Sequence, residues 1–96
     1  MRPSVALRTK RQAVIEAVGR HRLTNPRVFG SVAQEADGEG SDLDLLVDTL
    51  PGATLLDLGG LQDELQELLG VPVDVLTLDD LPARLREPVL SQARQI

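Results

Sequence analysis

Cysteine, tryptophan and tyrosine are absent from this 96-residue chain, and phenylalanine and histidine each occur once. Without cysteine there is no disulfide framework and no Cys-based zinc site. With Phe29 as the single aromatic ring, stacking on nucleic-acid bases is excluded as a way of binding. The net charge of −5 argues against free-standing nucleic-acid binding, and none is expected. No apolar run reaches the length of a membrane span, and the N-terminus lacks the apolar centre of a signal peptide. The expectation is a soluble, cytoplasmic protein with no membrane contact.

What is present is leucine, valine and alanine, which supply most of an apolar content of 42%. Ninety-six residues suffice for one compact core, so residues 1–96 are expected to form a single domain. Charge is unevenly placed. Residues 1–27 carry seven Arg/Lys against one acid, Glu16, whereas residues 28–96 carry three against fourteen. The basic segment reads either as a solvated helix face or as a surface that meets an anionic partner or a nucleotide's phosphates.

Apolar residues Leu7, Val14 and Val18 recur at helical spacing and predict one helix over 4–22, with Ser4 as its N-cap. Asn25-Pro26 predicts a break, followed by a short strand in "RVFG" that ends at Gly30. "SVAQEA" predicts one or two helical turns, "DGEGS" a loop, and "DLDLLVD" a strand. The stripe of Leu58, Leu61, Leu65, Leu68 and Leu69 predicts a helix over 55–69, weakened by about 1 kcal/mol at each of Gly59 and Gly60 and stopped by Gly70 and Pro72. "VPVDVLTL" predicts a strand. Asp80 reads as the N-cap of a last helix, which Pro88 is expected to divide. His21, near the end of the first helix, is given no role. Strands separated by helices predict an α/β (α+β) domain with a small mixed sheet, in which the strands of 43–47 and 73–78 run parallel.

Side chains alternate along a strand, so Asp42, Asp44, Leu46 and Asp48 share one face while Leu43, Leu45 and Val47 take the core face. Asp42 and Asp44 then project together, roughly 6–7 Å apart at their bases. Two such carboxylates can hold one divalent cation or straddle a pair of them, and hard oxygen ligands favour magnesium or manganese. The alternative is that both are merely solvated at a strand edge. Asp74 lies in an apolar strand where an unpaired carboxylate is costly to bury. It either completes a three-carboxylate cluster with Asp42 and Asp44, or pairs with an arginine such as Arg27 or Arg84. Gly30-Ser31, where a strand turns into a short helix, offers backbone N–H groups and a hydroxyl to phosphate oxygens.

Gly30-Ser31, ten intervening residues and Asp42-Leu43-Asp44 resemble the Gly-Ser-x10-Asp-x-Asp signature of the polymerase-β-like nucleotidyltransferase superfamily. "RVFGSVA", "SDLDLLVD" and "VPVDVLT" resemble its minimal members, the antitoxins that accompany HEPN-domain toxins. This resemblance implies the polymerase-β-like nucleotidyltransferase fold and two-metal nucleotidyl transfer. Asp42, Asp44 and Asp74 would hold Mg2+ and serve catalysis, and Gly30 and Ser31 would bind the β- and γ-phosphates. ATP would be the substrate, and AMP would pass to a tyrosine hydroxyl of the HEPN ribonuclease partner. One segment departs from the family, which commonly has Arg-Gly where this chain has Gln34 and Glu35. The change removes a cation near the triphosphate and adds an acid. It keeps open an antitoxin that works by complex formation with weak or no catalysis.

Overall fold

The computed structural model describes residues 1–96. Its elements run α1 (Pro3–Thr9), α2 (Arg11–Arg20), β1 (Leu23–Phe29), α3 (Gly30–Ala33), β2 (Leu43–Thr49), α4 (Leu55–Leu69), β3 (Val73–Leu76), a 3-10 turn (Leu78–Asp80), α5 (Ala83–Gln92) and β4 (Arg94–Gln95). The sheet order is β3-β2-β1-β4. β2 and β3 are parallel, and the other two pairs are antiparallel, so the sheet is mixed as the sequence predicts.

One face of β2 sets the core. Leu43, Leu45 and Val47 are fully buried and pack with Val14, Ala17 and Val18 of α2 and Leu61, Leu65 and Leu69 of α4. Leu46, on the opposite face, is also fully buried. A capping box starts α4. The Thr54 hydroxyl accepts the Leu56 N–H, and Asp57 Oδ2 accepts the Thr54 N–H at 2.8 Å. Gly70, at φ 69°, ends the helix in the left-handed conformation that glycine adopts without a Cβ clash.

The single helix expected over 4–22 is two helices, broken at Lys10. The break lets Ala6 and Leu7 reach the same core as Val14, Ala17 and Val18. Ser4 is not a cap. Arg2 holds that position with Pro3 as the first helical residue, and the Ser4 N–H donates to Asp37. Asn25-Pro26 does not break the chain into a turn either. β1 runs through it from Leu23, with a bulge between Thr24 and Arg27 and Asn25 at φ 53° taking up the irregularity. Asp80 caps the 3-10 turn rather than α5, accepting from the Thr77 N–H and hydroxyl. Pro88 lies within α5 without dividing it. The carbonyl it leaves without a helical partner belongs to Arg84, which faces solvent. The two-residue β4 has no counterpart in the sequence reading, because a strand that short shows no alternation.

β3 is an edge strand, and α4 covers its outward N–H groups. Gln66 Oε1 accepts the Val73 N–H and Gln62 Oε1 accepts the Val75 N–H, both at 3.1 Å. The four-residue spacing of the two glutamines matches the two-residue spacing of the valines. His21 also has a place. Its ring lies against Gly60 and its Nε2 is 2.9 Å from Glu64 Oε1, while Arg20 pairs with the same carboxylate.

The two adjacent glycines of α4 are therefore not equivalent. A Cβ at Gly59 meets nothing within 4 Å, whereas at Gly60 it would stand 3.1 Å from His21 Cε1. Gly59→Ala should stabilise the protein by up to about 1 kcal/mol through helix propensity. Gly60→Ala should lose that gain by pushing His21 off Glu64. Chemical denaturation of the two variants side by side checks this.

Candidate active site

Three strands bring the site together at one end of the sheet. β1 ends at Phe29, which stands opposite Asp44 in the antiparallel register. At Gly30, φ 70°, the chain turns sharply into α3. In the parallel register, Asp44 stands beside Asp74. Gly30 is packed so closely on Asp44 that a Cβ added to it would lie 2.5 Å from Asp44 Oδ2. Asp42, exposed, immediately precedes β2. Ser31 is half-buried in the first turn of α3, and its carbonyl accepts the Ala36 N–H at 2.8 Å.

Asp74 is exposed, contrary to the expectation of a carboxylate confined in an apolar strand. Alternation sends Val73 and Val75 into the core and Asp74 outward, towards Asp44. It pairs with neither arginine considered for it. Arg27 is taken by Asp48, with NH1–Oδ2 at 3.1 Å and NH2–Oδ1 at 3.2 Å, and Arg84 makes no ion pair.

Asp44 is half-buried. Burial pushes its carboxyl above the ordinary carboxylate value, and the charges of Asp74 and then Asp42 push it further the same way. Accumulated negative charge on hard oxygens is the donor chemistry that suits a divalent cation, so the residues fit one. As the side chains stand, no three acidic groups converge on a single ligating point.

Several polar contacts around the site were not anticipated. Asp37 is buried at 7% exposure in the loop between Ser31 and Asp42, and its Oδ2 accepts the Ser4 N–H at 2.9 Å. Burial pushes Asp37 up, but the hydrogen bonds from Ser4 and the charge of Arg2 outweigh it and hold the carboxyl below its usual value. Asp48, expected only to share a face with Asp44, anchors the buried Arg27 together with Asn25. The Arg27 Nε is the buried side-chain nitrogen left without a partner. An isolated arginine between Pro26 and "VFG" is the one hint of this network in the sequence.

Gln34 and Glu35 both reach the C-terminal segment. Gln34 Nε2 donates to Gln92 Oε1 at 3.0 Å, and Arg94 NH1 donates to Glu35 Oε1 at 3.3 Å. Glu35 has φ 57°, a conformation that favours glycine. A cavity of about 270 Å3 lined by Arg2, Ser4, Arg8, Glu35 and Asp37 lies between α1 and this loop and includes none of the three site aspartates.

The nucleotidyltransferase domain model matches residues 9–96, and the chain belongs to that family. A relative from Methanocaldococcus jannaschii, named "Putative protein adenylyltransferase MJ0435", is 37% identical over 83 residues, which cover 86% of this chain and 89% of the relative. A solved structure described as a putative minimal nucleotidyltransferase is 46% identical with a TM-score of 0.87, covering 97% of this chain and 95% of that one. Two toxin–antitoxin structures share the fold. One, with AMP-PNP, is 23% identical with a TM-score of 0.75 and covers 88% of this chain and 69% of that one. The other is a tri-AMPylated Shewanella oneidensis HEPN toxin in complex with its MNT antitoxin, 20% identical with a TM-score of 0.68, covering 92% and 69%. The expected polymerase-β-like nucleotidyltransferase architecture is thus the observed one. No helix is long and apolar enough to cross a membrane.

The pKa directions give two opposite stability effects. Asp48 is held low, first by its hydrogen bond from Arg27 and then by that from Asn25, so its contribution is complete above the ordinary carboxylate range and is lost as pH falls through and below it. Asp44 is held high, so its ionised form costs stability at neutral pH. Asp44→Asn should therefore raise the Tm at pH 7, and the gain should vanish as pH falls through the carboxylate range. Asp48→Asn should lower the Tm at pH 7 and converge with wild type in acid. Thermal melts across pH 3 to 7 read both signs.

Proposed function

We propose that this chain is an antitoxin that transfers AMP from ATP to a tyrosine hydroxyl of a partner HEPN ribonuclease in the cytoplasm, working as one domain over residues 1–96. The observation that carries the reading is the register that sets Asp44 beside Asp74, with Gly30 closed on Asp44. The family, the adenylyltransferase name of the M. jannaschii relative and the AMPylated toxin among the fold neighbours support it.

Asp42, Asp44 and Asp74 would hold Mg2+, which when bound screens the triphosphate and polarises the phosphorus. The backbone N–H groups of the Gly30-Ser31 turn and the Ser31 hydroxyl orient the β- and γ-phosphates. The α-phosphorus would then lie on the exposed side of the carboxylates, open to an acceptor hydroxyl. The acceptor oxygen bonds to the α-phosphorus, the bond to the β-phosphate oxygen breaks, and pyrophosphate leaves. Asp74, an exposed carboxylate beside Asp44, would take the hydroxyl proton. The partner protein supplies the acceptor, because this chain contains no tyrosine.

A second reading rests on Gln34 and Glu35. The positions where the family commonly has Arg-Gly are tied to Gln92 and Arg94, so this segment offers no free cation to a triphosphate. Neutralisation by complex formation, with weak or no transfer, is then the alternative.

Incubating the protein with α-labelled ATP, Mg2+ and the HEPN protein encoded beside it separates the two. Transfer predicts label on the partner that depends on Mg2+ and falls by at least roughly 100-fold in Asp42→Asn/Asp44→Asn, since even outer-shell changes at metal sites cost about 10–100-fold. If wild type leaves the partner unlabelled and the double variant still protects cells from it, the transferase reading is wrong and complex formation stands.

A further inference from the structure

Two glycines of this chain share a backbone conformation and differ in their surroundings. Gly30 has φ 70° and Gly70 has φ 69°. A Cβ at Gly70 would meet nothing within 4 Å. At Gly30 it would lie 2.5 Å from Asp44 Oδ2 and 3.5 Å from Asp44 Cγ. Left-handed backbone accounts for glycine at both positions, but only at Gly30 does another group occupy the space a side chain would need. That group is the carboxylate standing between Gly30 and Asp74.

Nothing else fixes it. Among the influences on the Asp44 carboxyl are burial and the charges of Asp74 and Asp42, with no hydrogen bond from any donor. An aspartate without hydrogen-bond partners takes its rotamer from packing and from like-charge repulsion. With packing and the like charges of Asp74 and Asp42 as the influences on it, the carboxylate rests in the notch at Gly30, on the strand face it shares with Asp74.

We propose that Gly30 is a positioning residue for Asp44. Its missing side chain forms the seat of the cation-binding carboxylate, in addition to any role of its N–H towards phosphate. This rests on the metal-dependent reading of the site. It separates the two halves of the Gly-Ser pair, since Gly30 acts through the aspartate and Ser31 acts on the nucleotide.

Mn2+ binding to the intact protein, followed by titration calorimetry without nucleotide, tests the proposal. Gly30→Ala should weaken Mn2+ by roughly 10–100-fold, the range for losing a group that orients a ligand. Gly70→Ala carries the same backbone strain and should bind Mn2+ as wild type does. Ser31→Ala should raise the KM for ATP and leave Mn2+ affinity unchanged. A stability cycle supplies a readout free of metal. The penalty of Gly30→Ala should exceed that of Gly70→Ala, and should shrink to match it in an Asp44→Ala background, where the notch is empty. If Gly30→Ala alone does not fold, folding of Gly30→Ala/Asp44→Ala supports the proposal and its failure overturns it. Equal Mn2+ affinity in Gly30→Ala and wild type, or a penalty indifferent to Asp44, overturns it as well. A wild type that binds no Mn2+ removes the metal reading and this inference together, which is a different result from a wild type that binds while Gly30→Ala binds equally well.

Discussion

The parallel register of β2 and β3 is the constraint on which the site depends. Leu43, Leu45 and Val47 are driven into the core, and Val73 and Val75 go with them. At period two, burying those residues leaves Asp44 and Asp74 no choice but the other face, side by side. A one-residue slip in either strand would turn a carboxylate into the core and a valine or leucine out of it. The hydrophobic effect therefore holds two like charges adjacent, and the cost appears on Asp44, whose carboxyl is pushed up by burial and by its neighbours. Stability is spent locally at the place where negative charge is useful.

The central strands and the long helix were legible in the sequence because each has a strong period. "DLDLLVD" alternates, and the leucines of 55–69 recur at helical spacing between a capping box and a glycine stop. The juxtaposition of Asp44 and Asp74 was one of two readings open for Asp74, and the parallel register decides between them. What failed were inferences from single residues. Ser4, Asp80 and Pro88 each carried a local signal that tertiary contacts overrode: Ser4 is drawn to Asp37, Asp80 closes a turn on Thr77, and Pro88 sits in a helix side open to water. Asn25-Pro26 reads as a break by local rules, but strand pairing on both sides of β1 carries the chain through it with a bulge. Long-range polar pairs such as Arg27 with Asp48 and Glu64 with His21 leave no periodic trace at all.

The loop from Gln34 to Ser41 links the Gly30-Ser31 turn to the start of β2, and it is held from two directions. Asp37 ties it to α1, Gln34 and Glu35 tie it to the C-terminal segment, and Gly38 and Ser41 close on each other through the Ser41 hydroxyl. The departure from Arg-Gly at 34–35 is therefore more than a lost cation. It introduces two side chains that fasten the loop to α5 and β4, at the expense of a left-handed glutamate. The basic N-terminal segment is likewise mostly spent on internal contacts. Lys10, Arg11, Arg20, Arg22 and Arg27 each bond to a carbonyl or carboxylate of this chain.

Gln62 and Gln66 give α4 a second duty besides filling the core. While their amide oxygens hold the Val73 and Val75 N–H groups, another strand has no donors to pair with there, and the sheet cannot grow past β3. Recognition by strand addition is closed on that side of the sheet. The same arrangement makes the helix a guard on solubility: unwinding α4 would bare the leucine stripe and a pairing-competent valine edge in one event.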